Sequence, residues 1–474
     1  MGHEYDSVII GSGPNGLAAA ITLAKAGQKV LVVEKYHSPG GGVRSEAGTL
    51  PGVVHDLCSA IYPMAVCSPF FESLSLESYG VGWIDPEIPL AHPFDDGSAA
   101  VMNQSLEETV AQFSTGDARS YRRIFEPLLE SGDNLFRDLL APPKFPSDPI
   151  AAIRFGMTVL PSAKWISRTR FSGEEARALF AGNAAHSVLP LDRPLTTGAI
   201  GIMLMLACHR KGWPIVKGGA GVITDALVKC LEHHGGVIKC DWEVTSLDEL
   251  PSATNYLFDT GPQALAAIAG DRLPRSFCDR LNRYRYGPGV FKIDYTLSGP
   301  VPWKAQACRK AGTVHIGGTF DEIAAAEKAP WLGQTSEKPF VLTAQPSLFD
   351  SSRAPSGQHT FWAYCHVPAN STVDMTAAIE RQIERFAPGF RDTILSRQTR
   401  NCAEFQSYNP NFVGGDVIGG VTDWRQLLTR PVARLKPHTT PADDIFLCSA
   451  STPPGGGVHG MCGYWAAQEV LNSR

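Results

Sequence analysis

The sequence predicts an α/β protein: a doubly wound, Rossmann-like domain interleaved with an α+β domain made of an antiparallel sheet and a helical lobe. Three observations lead there. A strand, a glycine turn, a helix and a second strand succeed one another within the first 34 residues. Runs of period two fill the second half of the chain, and a strand, a glycine-rich loop and a short helix close it.

The opening unit begins with the apolar run Ser7-Val8-Ile9-Ile10 and turns at Gly11-Ser12-Gly13-Pro14-Asn15-Gly16. A helix is expected over residues 17–26, closed by Gly27, and a strand over 29–33. From about residue 105 to 207, apolar residues recur at three- and four-residue spacings, Tyr121, Phe125 and Leu128 among them, which predicts the helical lobe. The proline-rich stretch at 141–146 divides that lobe, because proline cannot occupy a helix interior. Strands are expected at 290–295, 313–316, 340–343 and 360–364, a helix at 375–386, a strand at 445–448 and a last helix at 464–471. The expected division is 1–75, 210–275 and 435–474 for the dinucleotide domain, and 76–209 and 276–434 for the substrate domain.

Composition narrows the function. Apolar residues make up 43% of the 474 and charged residues 19%, which describes a chain that folds compactly and can bury a large cofactor. A net charge of −5 offers no broad basic surface for a polyanion, so nucleic acid is excluded as a partner. Arg283-Tyr284-Arg285-Tyr286 alternates base and aromatic, and reads better as a strand edge than as a base-stacking platform. Eleven cysteines, none in a Cys-x-x-Cys pair and with no signal peptide before them, predict a reduced, cytoplasmic setting and no dithiol relay. No apolar run reaches the roughly 18 residues that cross a bilayer, which leaves at most a peripheral membrane contact. Oligomeric state is not legible.

Gly11, Gly13 and Gly16 fit G-x-G-x-x-G after a strand and before a helix, with Ser12, Pro14 and Asn15 filling the turn. One glycine makes the turn, one lets a pyrophosphate approach the backbone, and one packs helix on strand, while the helix N-terminus faces the phosphates. Glu34, followed by Lys35, ends the next strand about 20 residues on, where a carboxylate recognises a ribose 2′-hydroxyl. What separates FAD from NAD is the second glycine turn, Gly40-Gly41-Gly42-Val43-Arg44-Ser45, whose arginine can neutralise the same pyrophosphate.

With those residues in place the chain resembles the flavoprotein superfamily of amine oxidases and carotenoid desaturases, whose Gly-Gly-x-x-Arg-Ser/Thr pattern matches Gly40, Gly41, Arg44 and Ser45. The stretch from Leu50 to Asp56 and the loop Ser451-Thr452-Pro453-Pro454-Gly455-Gly456-Gly457-Val458-His459-Gly460-Met461 resemble the phytoene desaturase branch, which includes carotene isomerase-like and retinol saturase-like enzymes. The resemblance implies FAD as cofactor, pyrophosphate contact for Arg44, and flavin contacts at Ser451, Gly457, His459, Gly460 and Met461. It also implies an adenine contact through the backbone of Val244, in a third segment that begins at Gly218-Gly219-Ala220-Gly221. The loop at 455–460 repeats G-x-G-x-x-G, but the 14 residues after it cannot complete a second βαβ unit. Where the branch usually has proline this sequence has Cys462, read mainly as packing.

The implied reaction is hydride transfer between flavin N5 and a carbon of a hydrophobic, isoprenoid or polyene-like molecule, as desaturation, saturation or isomerisation. With no second dinucleotide fold, oxygen or a quinone is the expected electron acceptor. Residues 204–209 would line an apolar tunnel or form an ordinary buried helix. His186, His209, His366 and His459 are the histidines that could act as acid or base, with His209 and His459 the candidates carried forward as catalytic. Hydrolase, zinc and nucleotide-triphosphatase patterns are missing, and no metal site is expected. Two alternatives stand beside this reading: an amine or amino-acid oxidase, and a flavin-free lipid-binding protein of the dissociation-inhibitor type.

Overall fold

The computed structural model describes residues 3–48 and 50–473. The chain opens with β1 (Tyr5–Ile10), α1 (Pro14–Lys25) and β2 (Val30–Val33). A hairpin of β3 (Ile88–Pro93) and β4 (Ala99–Met102) precedes the helices α2 (Thr115–Leu129), α3 (Pro149–Val159), α4 (Ala163–Arg170), α5 (Glu174–Ala185) and α6 (Thr196–Lys211). Then come α7 (Gly221–His233), β5 (Val237–Lys239) and β6 (Ala253–Phe258). The second half contributes β7 (Gly289–Leu297), β8 (Ala311–Ile316), β9 (Val341–Ala344), β10 (His359–Val367), α8 (Thr376–Phe386) and β11 (Ile394–Arg400), before β12 (Ile445–Leu447) and α9 (Met461–Asn472).

Two sheets organise these elements. The first has the order β12-β6-β1-β2-β5 and is parallel throughout. Val8, Ile9 and Ile10 of β1 and Val30–Val33 of β2 form unbroken apolar runs because both faces are covered there. Ile9, Val30 and Val32 pack with Leu17 and Ile21 of α1 on one side, while Val8, Ile10, Leu31 and Val33 pack with Leu265 and Phe277 on the other. The chain runs from β1 outward to β2 and β5, then returns to place β6 on the opposite side of β1. Strand order therefore reverses between β1 and β6, and an open α/β sheet binds its ligands in the crevice at such a point. The second sheet has the order β11-β7-β10-β9-β8-β3-β4, antiparallel except where β8 runs alongside β3.

Several elements differ from the sequence expectation. The first helix starts at Pro14 rather than Leu17, since proline is pre-set for the first helical position and loses no bond there. The last helix starts at Met461, three residues early, because Gly460 caps it with φ +68°. Arg283-Tyr284-Arg285-Tyr286 is not a strand edge. Tyr284 donates its hydroxyl to the Gly419 carbonyl at 2.7 Å, Arg285 grips Asp423 with both Nη atoms at 2.9 and 2.7 Å, and only at Gly289 does β7 begin. Strands β3, β4, β6 and β11 were not predicted. β11 reads ILSRQTR, an edge strand whose polar face carries no apolar alternation.

Candidate functional site

The glycine turn sits at the strand-order reversal, and its shape is set by β6. Gly11 has φ +99°, a conformation in which side chains are strained, and its N–H donates to the Val33 carbonyl at 2.8 Å. A Cβ on Gly13 would meet Asp259 Oδ2 at 2.5 Å, and one on Gly16 would meet the Gly11 carbonyl oxygen at 2.2 Å. Asp259 follows β6 directly, and its Oδ2 accepts the Gly16 N–H at 2.9 Å. Burial holds its carboxyl well above the usual carboxylate range. Sequence reading missed Asp259, although an acid followed by Thr260-Gly261 at the end of an apolar strand was there to find.

Glu34 closes the next strand. Its Oε2 accepts from the Ser12 N–H at 2.9 Å and the Ser12 hydroxyl at 2.6 Å, and its Oε1 accepts from the Tyr36 N–H at 2.9 Å. Arg44 lies 3.4 Å from Glu34, donates to the Ser38 and Pro39 carbonyls at 2.8 and 3.0 Å, and stacks over Tyr36 with 4.3 Å to the ring centre.

These groups line one end of a cavity of about 560 Å³. That end is walled by Gly11, Ser12, Gly13, Pro14, Asn15, Glu34, Lys35, Gly41, Arg44 and Val244, with Ser451 and Gly457 contributed by the C-terminal loop. Lys35 is at the rim, 2.7 Å from Glu243 and half exposed. The cavity continues to a wall built by Tyr62 of the N-terminal segment together with the antiparallel sheet and the helical lobe: His186, Leu204, Trp213, Lys292, Leu342, Trp362 and Tyr364. Of the carboxylates lining the cavity, Glu34, Glu243 and Asp259, none belongs to that second wall.

Lys292 is the residue there that sequence reading overlooked. It is fully buried on β7, paired with Asp294, and lies 5.6 Å from the centre of the Trp362 ring. Burial lowers its pKa, while Asp294 opposes that shift. The signal was a lysine and an aspartate two positions apart, on one face of a strand otherwise apolar. His186 also reaches the cavity. Its Nε2 is 3.1 Å from Nε2 of His315, and burial brings its pKa down to about 3, so the imidazole is neutral.

Other expected site residues lie outside the lining. His209 is held between the Tyr121 hydroxyl at 2.6 Å and the Gln104 carbonyl at 3.0 Å, so both ring nitrogens are engaged inside the lobe, away from the cavity. His459 accepts the Met461 N–H on Nδ1 at 3.0 Å and so caps α9; burial brings it down to about 4. His366 is tied to Glu327 at 2.7 Å within the core. Gly16 and Gly40 stand behind the turns, where a Cβ on Gly40 would meet Thr224 Oγ1 at 2.7 Å. Ser45 donates to Asp56 at 2.7 Å and accepts the Gly221 N–H at 3.0 Å, fastening α7. Gly460 and Met461 pack at the start of α9, against Phe70 and Ala18 at Gly460. Cys462 donates to the carbonyls of Gly455 and Thr452 at 3.3 and 3.5 Å. Arg430, also missed, is buried and donates to the Gly419, Ala450 and Ser451 carbonyls, tying the C-terminal loop to the second sheet's connections.

Comparison with known proteins agrees with this geometry. Residues 9–70 match the family model of an NAD(P)-binding Rossmann-like domain. The pyridine nucleotide-disulfide oxidoreductase domain-containing protein 2 of Rattus norvegicus is 23% identical over 99% of this chain and 93% of its own length. The neurosporene-forming phytoene desaturase of Rhodobacter capsulatus is 23% identical over 96% and 92%. Among solved structures, an oxidoreductase from Methanosarcina mazei aligns with TM-score 0.66 at 15% identity over 98% of this chain and all of that one. A putrescine oxidase bound to putrescine aligns with TM-score 0.61 at 16% identity over 99% of each chain. RAB GDI from Plasmodium falciparum gives 0.55 at 12% identity over 100% and 98%. At these identities the structures establish shared fold. Fold and relatives together place the chain in the class of flavin-dependent oxidoreductases. Within that class it is phytoene desaturase-like, by similarity along nearly its whole length.

Proposed function

We propose that the cavity binds FAD along the glycine turn and an apolar, isoprenoid or polyene-like substrate against the far wall. The observation that carries this is continuity: one cavity joins the glycine turn and Glu34 to a wall of Tyr62, Leu204, Trp213, Leu342 and Tyr364. The residues fit the cofactor. The turn and the N-terminus of α1 line the cavity, Glu34 stands where a ribose hydroxyl would donate, and Asn15 Oδ1 is a buried acceptor with no partner in the protein. FAD bound there supplies hydride transfer at flavin N5.

The chain's own part is to bind, orient and exclude water. Glu34 and Ser12 hold the ribose end, with Gly11, Gly13, Pro14 and the start of α1 facing the phosphates. Gly41 and Arg44 would hold them from the second glycine turn. Val244 borders the adenine end, and Ser451 and Gly457 border the flavin from the C-terminal loop. Gly16, Gly40, Ser45, His459, Gly460 and Met461 support these contacts from behind. The far wall excludes water and presents no carboxylate to receive an ammonium group, which favours an apolar carbon substrate over an amine. Oxygen or a quinone is the acceptor in this reading.

The test is the visible spectrum of the purified protein, followed by anaerobic titration with candidate polyenes. Flavin bands that bleach with a polyene support the reading. A protein that stays colourless and takes up no added FAD refutes it and promotes the lipid-binding alternative.

A further inference from the structure

The far wall of the cavity is not apolar throughout. β8 reads AGTVHI and is buried along its whole length. Val314 and Ile316 enter one core with Ile293 and Ile379, so the period of two turns Thr313 and His315 to the other face, that of the cavity. A buried polar side chain costs free energy unless it is hydrogen-bonded. Thr313 lines the cavity at 4% exposure, and its Oγ1 has no partner among the described residues.

His186 and His315 fix each other's proton. Their Nε2 atoms are 3.1 Å apart, so one donates and the other accepts. Burial brings His186 down to about 3 and holds His315 well below its ordinary value, so both rings are neutral and each carries one N–H. Nδ1 of His315 is sealed without a partner against Gly182 of α5, where a Cβ would stand 2.6 Å away. A proton there would be an orphaned buried N–H, the costlier way to leave that nitrogen unpaired. His315 therefore keeps its proton on Nε2 and donates it to Nε2 of His186. His186 must then carry its own proton on Nδ1. That nitrogen has no partner among the described residues, and the ring, edge-on to Trp213 at 6.0 Å, is half-buried against the cavity it lines.

We propose that His186 Nδ1–H and Thr313 Oγ1 form a polar anchor in the far wall, which receives an uncharged oxygen function, a hydroxyl or a carbonyl, on an otherwise apolar substrate. The proposal rests on the reading of this cavity as a flavin site with an isoprenoid pocket, and it narrows the substrate class from hydrocarbon to oxygenated isoprenoid. Thr313 is one strand repeat, about 7 Å, from His315, which places the two polar groups in one region of the wall. A hydroxyl can accept from His186 and donate to a threonine oxygen, and a carbonyl can accept from either. A hydrocarbon would leave both groups desolvated and unpaired. A carboxylate would meet two neutral imidazoles, and Lys292 in the same wall is already paired with Asp294.

The test uses the full chain loaded with FAD, with binding read anaerobically from the perturbation of the flavin absorbance. The probes are farnesol, farnesal, farnesoic acid and the hydrocarbon in which hydrogen replaces the farnesol hydroxyl. Farnesol and farnesal should bind at least about tenfold more tightly than the hydrocarbon and the acid. Thr313→Val removes a hydroxyl that no protein group uses, so the fold is kept, and the preference should shrink by about threefold or more; His186→Phe should abolish it. Equal affinity for alcohol and hydrocarbon, or a preference that both variants leave intact, overturns the anchor. Nitrogen NMR of the protein with isotopically labelled histidine needs no ligand, with the His186 signals assigned by their loss in His186→Phe. It should show His186 protonated on Nδ1 and bare on Nε2, and the opposite tautomer overturns the anchor. If FAD binds and none of the probes does, the isoprenoid reading of the pocket falls, and the tautomer alone then decides for or against the anchor.

Discussion

Oδ2 of Asp259 receives the N–H of Gly16 at 2.9 Å, across 243 positions of sequence. The end of β6 thereby fills the underside of the turn that follows β1, and the glycine spacing in this chain answers to a neighbouring side chain as well as to a ligand.

Asp259→Ala should leave the Gly16 N–H unsatisfied and cost about 1–3 kcal/mol. Asp259→Asn keeps an acceptor oxygen and should cost under about 1 kcal/mol, because burial already favours the uncharged form of the carboxyl. Chemical denaturation of the two variants measures the difference.

Glu34→Ala removes the acceptor of the Ser12 and Tyr36 N–H groups and the partner of Arg44. Titration of apoprotein with FAD should show affinity lowered by about tenfold or more, the effect of losing a charge-assisted hydrogen bond. Unchanged affinity would count against the ribose role.

Lys292→Met strands Asp294 without its cation in a site that is nearly dry, and should destabilise the fold by about 3–5 kcal/mol. Adding Asp294→Leu should recover most of that loss. A double-mutant cycle by denaturant unfolding resolves the pair from the packing around it.

His209→Gln should lower the thermal midpoint, since the Tyr121 hydroxyl and the Gln104 carbonyl lose a partner, at a cost of about 1–3 kcal/mol. FAD content should be unchanged, because the ring is outside the cavity lining.

Acid should unfold the protein cooperatively. Burial lowers His186 to about 3, and His92, His209, His438 and His459 to about 4, from 6.5. Above pH 6.5 these groups are neutral in both states. As pH falls from 6.5 toward 4 the unfolded chain takes up protons that the native one refuses, so stability drops by about 1.4 kcal/mol per pH unit for each histidine. Asp259 and Asp416, raised by burial, act in the opposite direction with fewer groups. Unfolding followed by circular dichroism should steepen below pH 6, and His438→Gln should shallow the slope.

The elements legible in the sequence were those whose pattern is local. β1, α1 and β2 were readable because a fully buried parallel strand is an unbroken apolar run and a glycine turn is explicit. β7, β8, β9 and β10 were readable as apolar, β-branched and aromatic runs. β11 was not, since an edge strand facing water has no reason to alternate. The same division holds in the site. Gly11, Gly13 and Glu34 announce themselves by spacing, whereas Asp259, Lys292 and Arg430 depend on elements brought together from distant parts of the chain.

By itself, then, the sequence determined the class of fold and the dinucleotide loop, because steric demands on glycine and the periodicity of buried strands are written residue by residue. Only the tertiary structure decided that His209 and His459 are spent on internal hydrogen bonds, that Lys292 and His186 face the cavity, and that His315 backs His186. Each of those outcomes is a relation between segments far apart in the chain, and which atoms satisfy a buried polar group or cover an apolar one is settled when the segments pack.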